Sequence, residues 1–171
     1  MHYFLDTEFI ESGSGQPIHL LSIGIVSKEG KEFYAVNVDA PLEHANEWVR
    51  QNVIPHLGSP KLTLEQIKNG ILNFVNFAHS DEKPEFWGYY ADYDWVVFCQ
   101  IFGRMIDLPK DWPMYCRDIK QWADHLRNIK LPKQESTEHN ALNDARWNKT
   151  TFEFLQMQLH LHDVKSISVS S

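Results

Sequence analysis

Residues 2–9 read HYFLDTEF, an apolar run Tyr3-Phe4-Leu5 that leads straight into two carboxylates, Asp6 and Glu8. Aromatic and branched side chains favour a strand, whereas Asp is depleted in strand interiors and a bare buried charge is costly. The two-residue period of a strand puts Asp6 and Glu8 on one face. Like charges held that close raise each other's proton affinity unless a cation lies between them. A D-x-E triplet alone is weak, and solvated acids at a strand end are the plain alternative.

Outward from this strand, the first third of the chain reads as β. IESGSGQP (10–17) is a Gly/Ser-rich loop, and HLLSIGIVS (19–27) and EFYAVNVD (32–39) are apolar runs joined by a KEGK hairpin turn. From Pro41 the spacing becomes helical. NEWVRQNVIPHL carries Trp48, Val49 and Val53 and stops at Pro55; a second helix starts with Thr63 as its cap and carries Leu64, Ile67, Ile71 and Val75 to residue 78. EFWGYY is a fourth strand ending near Tyr90, residues 94–102 a helix, MYCRD a fifth strand, and IKQWADHL a short helix. A long helix runs from Asn140 to His160. The expected fold is α/β, one domain over 1–162 with a mixed sheet flanked by helices and a polar tail over 163–171.

The chain has 171 residues, 43% apolar and 13% aromatic, enough for a core and unlike a disordered segment. No stretch approaches the roughly 20 apolar residues of a membrane span. The N-terminus has no basic region followed by an apolar run, so a cytoplasmic protein is expected. Cys99 and Cys116 are expected to be reduced, with no disulfide and no metal motif. The net charge of −7 argues against a passive phosphate binder, which would be basic. It leaves room for an enzyme whose bound cations face phosphate.

Two further acids extend the pattern. In GYYADYDWVVF, Asp92 or Asp94 could cap the following helix, where the dipole favours an acid. Asp94 stands next to the apolar run Trp95-Val96-Val97-Phe98 and, at the carboxyl end of a strand, where open α/β sheets bind ligands. In HNALNDARW, His139 precedes the last helix and Asp144 lies in its first turns. Each alone reads as an ordinary surface His or dipole-favoured acid. Together they would put a base that titrates near neutrality beside an acid. Asp6, Glu8, Asp94 and Asp144 are oxygen donors that suit Mg²⁺ or Mn²⁺. Two such ions about 3.5–4 Å apart stabilise the attacking and leaving oxygens of phosphodiester displacement. His139 would take the proton from the attacking water.

Asp6-Thr7-Glu8, Tyr93-Asp94 with its apolar helix, and His139-x4-Asp144, in this order, resemble the DEDDh exonucleases of the ribonuclease H-like superfamily. Leu20–Val26 with its internal Gly24 resembles that family's second strand. The ADYDWVVF stretch and the SIGIVSKEGKEFYAV hairpin are similar to a small bacterial and phage branch of 3′–5′ exoribonucleases related to ribonuclease T and oligoribonuclease. The resemblance implies a five-stranded mixed sheet with an antiparallel second strand and two divalent cations. It also implies release of 5′-nucleoside monophosphates from single-stranded RNA or 3′ overhangs, and a homodimer in some relatives. It further implies that Thr7 and Phe9 hold the terminal nucleotide. Stacking a base on Phe9 is a physical reason, and core packing is the alternative. Ser22 stands where many proofreading relatives carry Glu, and Tyr90 near where several carry Asn, positions that bear on the choice between RNA and DNA.

Other residues receive plainer readings. Asp118 caps the helix after it. Arg146 and Lys149 are helix-face charges rather than phosphate contacts. His19 and His44 have no role. Trp87, Trp122 and Trp147 are core or interface. The competing functions are a DNA exonuclease of the same mechanism, a nucleotide phosphohydrolase, and a non-catalytic nucleic-acid-binding module with a relic site.

Overall fold

The opening run forms strand β1, His2–Ile10. Tyr3 and Leu5 belong to a buried cluster with Ile23, Ile67, Phe86 and Phe98, while Phe4 belongs to another with Ile119, Phe152 and Leu155. Side chains two apart share a face, so Asp6 and Glu8 continue the row of Phe4, and Thr7 that of Tyr3 and Leu5. The computed structural model describes residues 1–76, 82–126, 129–136 and 139–168.

The other strands are β2 (His19–Ser27), β3 (Glu32–Asn37), β4 (Lys61–Leu62), β5 (Glu85–Gly88) and β6 (Arg117–Asp118). They form one sheet in the order β4-β3-β2-β1-β5-β6. β2 is antiparallel to both β1 and β3, as expected, and the other pairings are parallel. The sheet has six strands and not five. The addition is β4, two residues that pair with Val36 and Asn37 and are too short to show any alternation.

The helices are α1 (Glu47–Asn52), α2 (Leu64–Asn76), α3 (Asp92–Phe102), α4 (Ile119–His125) and α5 (Ala141–Ser168). α2 and α3 supply Ile67, Ile71 and Phe98 to the Tyr3 side of the sheet. α4 and α5 supply Ile119, Ala123, Phe152 and Leu155 to the Phe4 side. Val49 of α1 packs with Ile10, Leu21 and Val53 in a third cluster. Each such Ile, Leu, Val or Phe side chain contributes about 1.5–3 kcal/mol by leaving water.

Several boundaries differ from the sequence reading. The helix expected to reach Pro55 breaks into α1 and a 3-10 turn at Ile54–His56, since Pro lacks an N–H and disfavours helix in the residue before it. Thr63 does cap α2, its Oγ1 accepting from Gln66 N while the Gln66 side chain accepts from Thr63 N. Residues 77 and 78, also assigned to that helix, lie outside the described residues. β5 ends at Gly88, two residues early, and Tyr90 turns the chain at φ 55°. α3 then begins at Asp92 behind Ala91, so neither Asp92 nor Asp94 caps it. Asp118 caps α4 by accepting from Gln121 N, and its other oxygen accepts from Ala91 N. α5 runs on to Ser168, into the segment assigned to the tail.

The early end of β5 shapes the site. β5 pairs with β1 only through His2, Tyr3 and Phe4. Beyond Phe4 that edge of β1 receives side chains in place of a strand. Asn148 Nδ2 donates to Leu5 O at 2.9 Å, and Thr7 N donates to Asp94 Oδ1 at 2.8 Å.

Candidate active site

The freed edge of β1 opens into a cleft of about 710 Å³. Asp6, Thr7, Glu8, Phe9, Asp94, His139 and Asp144 all line it, with Tyr89, Tyr90, Tyr93, Gln134, Trp147 and Asn148. Residues far apart in the chain thus share one hollow at the carboxyl end of β1.

Asp6 and Glu8 stand opposite Gly24 and Ser22 of β2. Gly24 has no side chain, so the start of α5 descends onto this strand pair and brings Asp144 to the two acids. Carboxylate oxygens of Asp6, Glu8 and Asp144 lie within 4.8 Å of one another. Asp144 is further held by Gln134 Nε2, which donates to its Oδ1, and by Asn140 N, which donates to its Oδ2 at 3.1 Å. Asn140 caps α5 in turn, its Oδ1 accepting from Asn143 N.

Asp94 approaches from the other face of the sheet. It lies in the first turn of α3, and its Oδ1 accepts both the amide and the hydroxyl of Thr7, at 2.8 and 2.6 Å. Thr7 is buried. Its visible work is therefore to hold Asp94. Phe9 faces the cleft and stacks on Tyr93, with ring centroids 5.8 Å apart and planes at 11°. His139 adopts the left-handed region at φ 63°, just before α5. Its ring meets Trp48 of α1 edge to face.

The electrostatics of the cluster are unfavourable as they stand. Burial pushes the Asp6 carboxyl well above the usual range, with the charges of Asp94, Asp144 and Glu8 adding to it. Burial likewise raises Glu8 to about 8, helped by Asp144 and Asp94. Asp94 rises to about 6, with burial the main cause and the two Thr7 hydrogen bonds opposing it. Asp144 is raised by burial and partly restored by the hydrogen bonds from Gln134 and Asn140 and by the neighbouring His139. None of the described residues lining the cleft is Lys or Arg. An all-oxygen donor set with no protein cation beside it fits a hard divalent ion.

Sequence reasoning missed Gln134, Asn148 and the aromatic wall. Trp147, assigned to core or interface, lines the cleft, where Tyr89 meets it edge to face at 4.8 Å. Trp147 and Asn148 follow Asp144 by three and four residues, a helical spacing that would have placed them on its face. Arg146 is bound by Glu32 through two contacts of 2.7 Å, and Lys149 by Glu153.

Comparison with known proteins identifies the family and the fold. The 3′-5′ exoribonuclease Rv2179c-like domain matches residues 1–156. The proteins called 3′-5′ exoribonuclease Rv2179c and 3′-5′ exoribonuclease MT2234.1, from two strains of Mycobacterium tuberculosis, are 37% identical over 150 residues, covering 85% of this chain and 88% of theirs. Among solved structures, the nuclease domain of 3′hExo, a DEDDh family member bound to rAMP, superposes with a TM-score of 0.60 at 10% identity, over 93% of this chain and 92% of that one. E. coli exonuclease I in complex with a 5cy-dT13 oligonucleotide gives 0.55 at 13% identity, over 92% of this chain and 40% of that one. The fold is therefore that of the DEDDh nucleases, and the chain belongs to the Rv2179c-like 3′-5′ exoribonuclease domain family.

Proposed function

We propose that this protein is a metal-dependent 3′–5′ exoribonuclease that releases 5′-nucleoside monophosphates from single-stranded RNA or 3′ overhangs. The observation that carries the reading is the convergence of Asp6, Glu8 and Asp144 within 4.8 Å, in a cleft that also holds Asp94 and His139 and no Lys or Arg among its described lining. Asp6, Glu8, Asp94 and Asp144 would hold two Mg²⁺ or Mn²⁺ ions. When bound, such ions offset the acidic field and stabilise the attacking and leaving oxygens of the phosphodiester.

The chain's own residues do the rest. Thr7 fixes Asp94 through two hydrogen bonds. Gln134 and the Asn140 amide fix Asp144. An imidazole nitrogen of His139 accepts the proton of the attacking water. The stacked Phe9 and Tyr93 offer a ring face on which the terminal base can lie, with Thr7 beside it in the cleft lining. The family match supports RNA as substrate. Two free thiols, Cys99 and Cys116, agree with a reducing, cytoplasmic setting. A homodimer belongs to the same proposal and is tested by light scattering.

The test is a digest of matched RNA and DNA oligomers, single-stranded and with 3′ overhangs, with Mg²⁺ or Mn²⁺. Stepwise shortening of RNA from its 3′ end, with nucleoside monophosphates as product, is the expected result. Preferential digestion of DNA would move the reading to a deoxyribonuclease. Tight RNA binding without shortening would leave only a binding module.

A further inference from the structure

Trp48 is 52% exposed on α1, a helix of six residues. Its indole meets the His139 imidazole edge to face, with centroids 4.9 Å apart and planes at 83°. His139 lines the cleft, and Trp48 touches its imidazole without belonging to that lining.

The helix that carries Trp48 is firmly placed. Val49 packs with Val53, Ile10 and Leu21 beneath it. The Arg50 guanidinium donates to the carbonyls of Leu42, Glu43 and Ala45. The same stretch of chain also grips the backbone beside His139, since Asn140 Nδ2 donates to His56 O at 3.0 Å. His139 needs such support: a left-handed conformation is uncommon for a residue with a side chain and persists where the surroundings hold it. A packed ring contact limits imidazole rotation as the Asn140 bond limits the backbone.

We propose that Trp48 is a positioning residue that holds the His139 imidazole, by edge-to-face contact, in the orientation facing the cleft. The proposal rests on the reading of His139 as the group that takes the proton from water.

The test is a double-mutant cycle on RNA hydrolysis with kcat and KM measured separately. Trp48→Ala is expected to lower kcat about tenfold, the upper worth of an aromatic edge-to-face pair, with KM and melting temperature unchanged. Trp48→Phe keeps a ring and is expected to recover most of the loss. In the His139→Ala background, Trp48→Ala is expected to cost nothing more. Unchanged kcat in Trp48→Ala overturns the proposal. So does a raised KM with the same loss in both backgrounds, which would make Trp48 an RNA contact. Full activity in His139→Ala alone would sink the underlying reading of His139, an outcome visible without any change at Trp48.

Discussion

A Cβ built on Gly24 would stand 2.3 Å from the carbonyl oxygen of Ala141. Gly24 pairs with Asp6 across β1 and β2, and Ala141 is the first residue of α5. The absent side chain therefore sets how closely the helix carrying Asp144 approaches the strand carrying Asp6.

Gly24→Ala should consequently push the start of α5 off the sheet, because the obstructing atoms are backbone and cannot rotate away. Overpacking of this kind costs about 1–3 kcal/mol. A displacement near 1 Å at a reacting centre costs roughly a hundredfold in rate. Urea denaturation and RNA hydrolysis would measure the two effects. A variant as active as the parent would show that Gly24 does not govern the position of Asp144.

Thr7 makes a narrower prediction. Thr7→Val keeps the amide bond to Asp94 and deletes the hydroxyl bond of 2.6 Å. Losing a hydrogen bond to a charged group costs about 1.5–3 kcal/mol. The expected result is a fall in kcat with RNA affinity preserved, while Thr7→Ser stays near the parent. A raised KM in Thr7→Val with kcat intact would instead make the hydroxyl a nucleotide contact.

The acids and His139 were legible in the sequence because each lies where local pattern speaks. Asp6 and Glu8 interrupt an apolar strand, Asp94 stands before an apolar helical run, and His139 and Asp144 bracket a helix start. Gln134 was not legible, since it is a polar loop residue whose reach to Asp144 depends on how Pro132 is held by the Trp147 indole N–H at 3.0 Å. The contact between Trp48 and His139 was equally invisible, because it joins residues 91 positions apart through tertiary packing. β4 escaped for want of length, and the break after α1 followed from Pro55 acting on its neighbours.

Phe9 and Tyr93 form a stacked ring pair in the lining of the cleft, and Tyr93 is about half exposed. Stacking a base on an aromatic is worth about 1–3 kcal/mol by alanine substitution. Phe9→Ala and Tyr93→Ala should each weaken binding of an RNA oligomer, measured by fluorescence anisotropy with Ca²⁺ as a slow-turnover ion. Tyr93→Phe should bind as the parent does, since it keeps the ring. Equal affinity in Tyr93→Ala and the parent would move the base elsewhere in the cleft.

The raised carboxyls make stability depend on pH in a defined direction. Glu8 is held at about 8 against an ordinary 4.5, and Asp94 at about 6 against 3.8. The folded protein binds these protons more tightly than the unfolded chain does. Their contribution is complete below the unfolded values, near pH 4, and is lost as pH rises through about 6 and then about 8. Without metal, the melting temperature should therefore fall between about pH 5 and about pH 9. A divalent cation replaces the lost protons, and a ligand that binds only the folded state stabilises it by mass action. The rise in melting temperature on adding Mn²⁺ should then grow with pH, and Glu8→Gln should flatten both trends. Scanning calorimetry with chelator or Mn²⁺ across that range measures each quantity. An Mn²⁺ shift that is constant with pH, or equal in Glu8→Gln and the parent, would remove Glu8 from the cation site.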